Sequence, residues 1–185
     1  MASLMRFRAR PSVRRCINAA HILGVDKVRV FAFLRTADPM SLMPRLADII
    51  GEMGEIAAQE KIHLLVENES SCNVATCAEL AALLKLLPSP WLGINWDPLN
   101  AVQYNEAPIP DGYAKLPSQR IGNVQIKGKS ILDYPEKLDW TAIFHAMDTD
   151  GYTGKYGLEN HIFGPQLIEN GHKAMQEILR VAAAA

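Results

Sequence analysis

Four polar side chains each end a short apolar run, and they follow one another at nearly even intervals. They are Glu67, Asp97, Gln125 and Glu159, separated by 30, 28 and 34 residues. One strand with its crossover helix occupies roughly 30 residues. If the runs are neighbouring parallel strands, their carboxyl ends lie on one face and the four oxygen-bearing groups converge there. Convergent carboxylates predict a metal site or an acid/base site.

The four groups differ in what they offer a metal ion. Glu67, Asp97 and Glu159 supply carboxylates, which suit Mg, Mn, Zn, Co or Fe. Gln125 supplies a neutral carboxamide, whose oxygen coordinates a hard cation without adding charge, so we expect weaker metal binding than with His in that place. Each acid taken alone could be a surface carboxylate after a strand. The joint placement of three acids favours a shared functional site.

Three more polar residues lie two positions beyond strand ends of this set. Glu69 follows Glu67, Lys127 follows Gln125, and His161 follows Glu159. Side chains two apart on a strand project to the same side. If the strands continue, these groups are therefore expected to project to the same side as the strand-end groups.

Two residues near the strand ends are candidates for binding substrate. Asn100 follows Asp97 through a proline, in a turn that would direct its amide into the mouth. Arg35 comes just after the first visible strand and could bind an anionic substrate group, with a helix cap or a surface role as the alternative.

The elements that must position these groups alternate between two hydrophobic periodicities. The predicted strands are 26–34, 62–66, 91–96, 121–126 and a strand ending at residue 159. The predicted helices are 12–23, one within 39–61, about 73–87, about 140–147 and 165–183. A proline-rich loop over 98–117 is long enough to be a lid or binding loop. This alternation indicates a parallel α/β architecture.

Five strands are fewer than a closed barrel requires, because a (β/α)8 barrel typically takes about 250 residues. We therefore expect residues 1–185 to form one domain of the (β/α)8 TIM-barrel type that is incomplete at the N-terminus. The alternative is an open sheet whose edge is covered by a partner or by exchange between copies, which would make the protein a homo-oligomer.

Composition narrows the function classes. A net charge of -1 with 49% hydrophobic and 21% charged residues fits an ordinary globular domain and excludes a disordered chain. Five arginines lie among the first 15 residues, but Lys and Arg are otherwise scattered and do not indicate a basic surface that binds nucleic acid. No apolar stretch approaches the roughly 20 residues of a membrane span, and no signal-peptide pattern opens the chain. We expect a cytoplasmic protein.

Several short sequence blocks occur in a characteristic order. They are Leu-Val-Glu-Asn at 65–68, Gly-Ile-Asn-Trp-Asp-Pro at 93–98 with Asn-Ala at 100–101, Val-Gln-Ile-Lys at 124–127, Leu-Asp-Trp at 138–140, Gly-Tyr-Thr-Gly at 151–154 and Leu-Glu-Asn-His at 158–161. From about Ser12 to its end, the chain resembles the sugar phosphate isomerase/epimerase family, which belongs to the xylose isomerase-like TIM barrels. The ordered set is far more specific than any single block.

The resemblance implies a metal site and a pair of catalytic glutamates. That family holds a divalent metal with Glu, Asp, His and Glu at the barrel mouth, and its two glutamates transfer a proton beside a carbonyl. By position, the ligands of Mn, Mg, Co or Zn would be Glu67, Asp97, Gln125 and Glu159, with Gln125 in the place of His. Lys127 matches a family lysine.

The implied reaction is isomerisation or epimerisation of a sugar or a sugar-like carbonyl compound. Glu67 or Glu159 would remove a proton from carbon and the other would return it through an enediolate. Lys127 would add catalytic charge stabilisation, and Asn100, His161 and Arg35 would bind substrate.

Two other functions share the fold. Gln125, together with Gly128 in the place of a common family acid, is also consistent with a catalytically silent carbohydrate-binding or scaffold protein. A metal-dependent nuclease for abasic DNA predicts more histidine ligands and a basic groove, and the sequence shows neither.

Overall fold

Five parallel strands form the centre of the chain and curl into a half-barrel. The computed structural model describes residues 2–133, 138–161 and 164–185, without the side chains of residues 2–9. Sequence order and spatial order coincide, since each strand pairs with the next along the chain. The strands are β1 (Lys27–Val30), β2 (His63–Glu67), β3 (Leu92–Trp96), β4 (Ile121–Lys127) and β5 (Lys155–Glu159). The predicted incomplete TIM barrel is confirmed.

Helices connect the strands. They are α1 (Ala2–Leu23), α2 (Met43–Gln59), α3 (Cys77–Lys85), α4 (Pro98–Val102), α5 (Gly128–Leu132), α6 (Trp140–Thr149) and α7 (Leu167–Ala182). Short 3-10 turns add Met40–Leu42, Tyr113–Lys115 and Ser118–Arg120, and a single wide turn covers Pro108–Gly112. Among the described residues, no helix combines the length and the apolar character needed to cross a bilayer.

Local sequence explains where the helices begin. Thr76 caps α3 by accepting a hydrogen bond from the Glu79 N–H, and the Glu79 carboxylate in turn accepts one from the Thr76 N–H. Asp97 caps α4, where Pro98 occupies the first turn, and Asp139 caps α6. The strand-to-helix turn at Asp97 therefore uses a residue of the predicted site as its cap.

Three predicted segments differ from the structure. The first helix begins at Ala2 instead of residue 12. The first strand ends at Val30 instead of residue 34, because Phe33 adopts a left-handed backbone with φ 57° and turns the chain away. The Asn73 side-chain amide donates to the carbonyls of Ala32, Phe33 and Leu34, which replaces the lost strand pairing. The loop predicted over 98–117 contains α4 and several single turns.

The two faces of the sheet have opposite character. Strand residues of the outer face join the apolar side chains of the helices in one core; they are Leu64, Val66, Leu92, Ile94, Trp96, Val124 and Ile126. Residues of the inner face alternate with these along each strand. They include the polar side chains of Arg29, Glu67, Asn95, Gln125 and Glu159. Folding the apolar face onto the helices thus directs the polar face into the concave side.

Strands β1 and β5 form the two edges of the sheet, since each pairs with only one neighbour within the described residues. An unpaired edge exposes backbone donors and acceptors that another chain segment can pair with. Self-association at these edges stays a prediction from the sequence.

Candidate active site

The Gln125 side chain is the centre of the polar cluster on the inner face. Its amide nitrogen Nε2 lies 3.2 Å from Glu67 Oε1, 3.4 Å from Asp97 Oδ2 and 2.6 Å from Glu159 Oε2. The residues that end β2 and β5, and the one directly after β3, thus meet around a single donor on β4. The structure brings together all four residues that the spacing singled out.

Arg29 extends into this cluster from the edge strand β1. Its Nη1 lies 3.0 Å from Gln125 Oε1, 2.8 Å from Glu67 Oε2 and 3.7 Å from Glu159 Oε1. The guanidinium also stacks 4.9 Å from the centre of the Phe31 ring. A cation from the first strand therefore lies against the carboxylates of the second and the fifth.

Asn95 supplies a second layer of donors. Its Nδ2 lies 2.9 Å from Glu67 Oε2 and 3.1 Å from Gln125 Oε1, and its own oxygen accepts a hydrogen bond from Asn123. Asn95 is almost fully buried. Since a buried polar group is costly without partners, this network fixes Glu67 and Gln125 in one orientation.

Lys127 and Asp97 form the most buried ion pair in the described cluster. Lys127 Nζ lies 2.9 Å from Asp97 Oδ2 and 2.6 Å from Asn100 Oδ1. The other oxygen of Asp97 accepts hydrogen bonds from the N–H groups of Leu99 and Asn100 at the start of α4. Asp97 is therefore bound on both oxygens.

Glu159 and His161 form the open end of the cluster. His161 Nε2 lies 2.8 Å from Glu159 Oε2, and each side chain is 34% exposed. By contrast, Glu67 is only 1% exposed and is covered by Arg29, Asn95 and Gln125. A ligand that enters from the concave side therefore meets Glu159, His161 and the 41% exposed Arg29 side chain before Glu67.

Burial shifts the acidity of two carboxyl groups. The pKa of Glu67 is raised to about 7, chiefly by burial; the Arg29 guanidinium opposes this rise, and the nearby charges of Asp97 and Glu159 contribute to it. Burial also raises the pKa of Asp97, while Lys127 and the N–H groups of α4 favour its ionised form. A carboxyl with a pKa near 7 can either give or take a proton at neutral pH.

Two other polar residues near the mouth have their own partners. The Arg35 guanidinium binds both carboxylate oxygens of Glu79 at 2.8 and 3.2 Å and lies 4.2 Å from the centre of the Tyr104 ring. Its contacts in the described part of the chain do not include the Gln125 cluster. Glu69 binds Ser70 and Ser71 and accepts a hydrogen bond from Asn100.

Sequence reasoning missed Arg29 and Asn95. Both carried a readable signal, because Asn95 lies two residues before Asp97 and Arg29 interrupts the apolar run Val28-Arg29-Val30. Residues two positions before a strand end share its face just as those two positions after it do.

A parallel half-barrel with its helices outside and its polar groups at the carboxyl ends of the strands belongs to the TIM-barrel class of folds. The sequence model of the family described as xylose isomerase-like TIM barrel matches residues 4–183. The chain therefore belongs to the xylose isomerase-like TIM barrel family.

Solved structures of this family share the fold at low sequence identity. A D-psicose 3-epimerase from Clostridium cellulolyticum H10, solved with D-tagatose, has a TM-score of 0.76 and 14% identity over 96% of this chain and 71% of its own. An IolI protein with bound zinc has a TM-score of 0.73 and 14% identity over 94% and 67%. A Mycobacterium smegmatis protein in complex with magnesium has a TM-score of 0.70 and 19% identity over 93% and 66%.

The chain spans about two thirds of the length of these three structures. Identities below 20% show a common fold, and activity is argued from the site. A search of curated proteins found no match.

A divalent ion does not fit the cluster in its present arrangement. Among the described residues, no three His, Cys, Asp or Glu side chains are placed to hold a metal together. Gln125 turns its amide nitrogen, which donates and cannot coordinate, toward all three carboxylates. Asp97 Oδ2 is bound by Lys127, and Glu67 Oε2 is bound by Arg29 and Asn95. The cluster contains oxygen atoms of the kind that coordinate a divalent ion, but the oxygens that would face the ion are already hydrogen-bonded.

Proposed function

We propose that the chain isomerises or epimerises a sugar-like carbonyl compound by proton transfer at carbon, with Glu67 and Glu159 as the proton-transfer pair. One observation carries the proposal. Carboxylates from β2 and β5 contact the same Gln125 amide and the same Arg29 guanidinium. Two carboxyl groups beside one cation can serve one substrate as proton acceptor and proton donor.

In this mechanism Arg29 binds the substrate carbonyl oxygen. Its contacts in the cluster are made by Nη1, so Nε and Nη2 remain as donors on a partly exposed side chain. When the guanidinium moves from Glu67 Oε2 to the substrate oxygen, Glu67 is uncovered at the same time. Substrate binding and release of the buried carboxylate are thereby linked.

Proton transfer then proceeds between carbon and the two glutamates. One carboxylate takes the proton beside the carbonyl, the C–H electron pair becomes a carbon–carbon double bond, and the carbonyl oxygen becomes an anion held by Arg29. For epimerisation, the other carboxyl group, which is protonated, donates its proton to the opposite face of the same carbon, and the carbonyl re-forms. For isomerisation, it protonates the former carbonyl carbon, while the hydroxyl proton on the adjacent carbon moves to the former carbonyl oxygen and leaves a new carbonyl there. His161 holds Glu159 in place, and the nearby charge of Lys127 further stabilises the anion.

The substrate class follows from the donors that face the concave side. Arg29 and His161 offer hydrogen bonds to the hydroxyl and carbonyl groups of a sugar, whereas Asn100 is fully buried and its amide contacts Glu69 and Lys127. Arg35 would contribute only if it left Glu79. A cytoplasmic location and self-association at the sheet edges accompany this proposal as predictions from the sequence.

The test is exchange of substrate hydrogen with solvent. We expect the full chain, incubated in D2O with a panel of ketopentoses and ketohexoses, to introduce deuterium beside the carbonyl of at least one sugar, followed by NMR. Glu159→Gln should slow this exchange by about 100-fold or more, the usual contribution of a general acid or base. Glu169→Gln is the matched control, because Glu169 lies on α7 and forms an exposed local pair with Lys173. Exchange that is absent, or equal in Glu159→Gln, would contradict the proposal.

The burial of Glu67 favours a second candidate, carbohydrate binding without turnover. The Glu67 carboxylate is 1% exposed and is bound by three side chains. If Arg29 never leaves it, Glu67 has a structural role and cannot reach a substrate. Calorimetry with the same sugars separates the two functions, since binding without deuterium exchange supports the silent protein.

A further inference from the structure

We infer that Arg29 and Gln125 together take over the role of a divalent cation in this site, so that the carboxylates are held by the protein's own groups. Gln125 and Arg29 come from β4 and β1, 96 positions apart, and contact each other at 3.0 Å. The inference concerns the residues of the proposed site but requires no turnover.

The orientation of the Gln125 amide is fixed by all of its neighbours. Its nitrogen faces three carboxylates and its oxygen faces two donors, Arg29 and Asn95. Turning the amide over would place its oxygen against the carboxylates and its nitrogen against those donors. Every one of these five contacts would become repulsive, so the amide presents a donor where an ion would need a ligand.

The charges of the cluster support the same conclusion. Three carboxylates, Glu67, Asp97 and Glu159, face two cations, Arg29 and Lys127, so most of their negative charge is already neutralised. An added divalent ion would lie close to the Arg29 guanidinium, which is 2.8 Å from Glu67, and the two like charges would repel in this partly buried site. Guanidinium is also less strongly hydrated than an ammonium group, so it suits a partly buried position among carboxylates.

Direct titration with Mn²⁺ tests this inference, with free Mn²⁺ followed by electron paramagnetic resonance and no sugar present. Wild type, Arg29→Met, Gln125→His and the double variant are compared, with Arg14→Met on exposed α1 as the matched control. We expect weak binding by wild type and Arg14→Met, and binding roughly 10- to 100-fold tighter by the double variant. Each single variant should fall between these limits.

Two results would overturn the inference. One is tight Mn²⁺ binding by wild type, which decides the matter whatever the variants do. The other is a double variant that keeps the wild-type circular dichroism and unfolding midpoint yet binds Mn²⁺ no more tightly. Because the titration contains no substrate, failure of the proposed sugar chemistry leaves this measurement unaffected.

Discussion

The two ends of the polar cluster use the same kinds of groups in different surroundings. At one end, Lys127 pairs with Asp97, both are almost fully buried, and Asp97 also caps α4. At the other end, Arg29 contacts Glu67 and Glu159 from an edge strand, and both Arg29 and Glu159 are partly exposed. The Lys127 end has no freedom to move without exposing a buried charge. The Arg29 end can exchange its partner for a ligand.

This difference separates a structural role, at the Lys127 end, from a functional role, at the Arg29 end. A buried pair that also caps a helix fixes the register between β3, β4 and α4, whereas a partly exposed cation beside two carboxylates can respond to substrate. We therefore expect changes at the Lys127 end to act mainly on stability and changes at the Arg29 end to act mainly on exchange and metal binding.

The largest effect on stability is expected from Lys127→Met. This change leaves Asp97 buried without its cation, and breaking a buried ion pair in this way typically costs about 3–5 kcal/mol. Urea unfolding measures the loss, and Lys85→Met on the exposed side of α3 should change stability by less than about 0.5 kcal/mol. Equal losses in the two variants would mean that the pair does not hold the fold together.

A smaller, pH-dependent effect is expected at Glu67. Its pKa in the folded chain is about 7 against an ordinary value of 4.5, so the folded state holds a proton more tightly than the unfolded state. The resulting stability is fully present below pH 4.5 and is lost as the pH rises through 7. The total is about 3 kcal/mol, because one pKa unit corresponds to about 1.4 kcal/mol.

Urea midpoints of wild type and Glu67→Gln at pH 5 and pH 8 check this dependence. The stability of wild type should fall between these values by more than that of the variant, which has no titrating group at the position. Parallel curves would place the Glu67 carboxyl in a more hydrated setting than the structure gives it.

The smallest effect on stability is expected from Glu159→Gln. Glu159 is 34% exposed, and pairs of this kind contribute at most about 1 kcal/mol. The same variant should lose most of its exchange activity, so its unfolding midpoint and its exchange rate should respond very differently. A large loss of stability would place Glu159 with Asp97 among the supporting residues.

Much of the fold could be predicted from the sequence. The apolar runs before Glu67, Asp97 and Glu159 are local signals, and their spacing fixes the order of parallel strands because each crossover needs about one helix. The convergence of the four strand-end residues follows from that order. The early end of β1 could not be foreseen, because it depends on the contact of Asn73 with carbonyls some 40 positions away.

The finer arrangement of the site depends on contacts between distant strands. Which way the Gln125 amide points is decided by Arg29 and Asn95, which lie 96 and 30 positions away. Arg35 is bound by Glu79 because the cap of α3 brings that carboxylate beside it, 44 positions along the chain. Residue types predicted a cluster of ligands, whereas the partners of each group follow from strand register.

Deuterium exchange after treatment with a chelating agent tests the central claim most directly. The claim is that Glu67 and Glu159 transfer a proton at carbon beside the Arg29 guanidinium. We predict that the treated full chain still exchanges hydrogen beside the carbonyl of a ketose in D2O, and that Glu159→Gln does not. Exchange that is absent from wild type, or that continues unchanged in Glu159→Gln, would contradict the account.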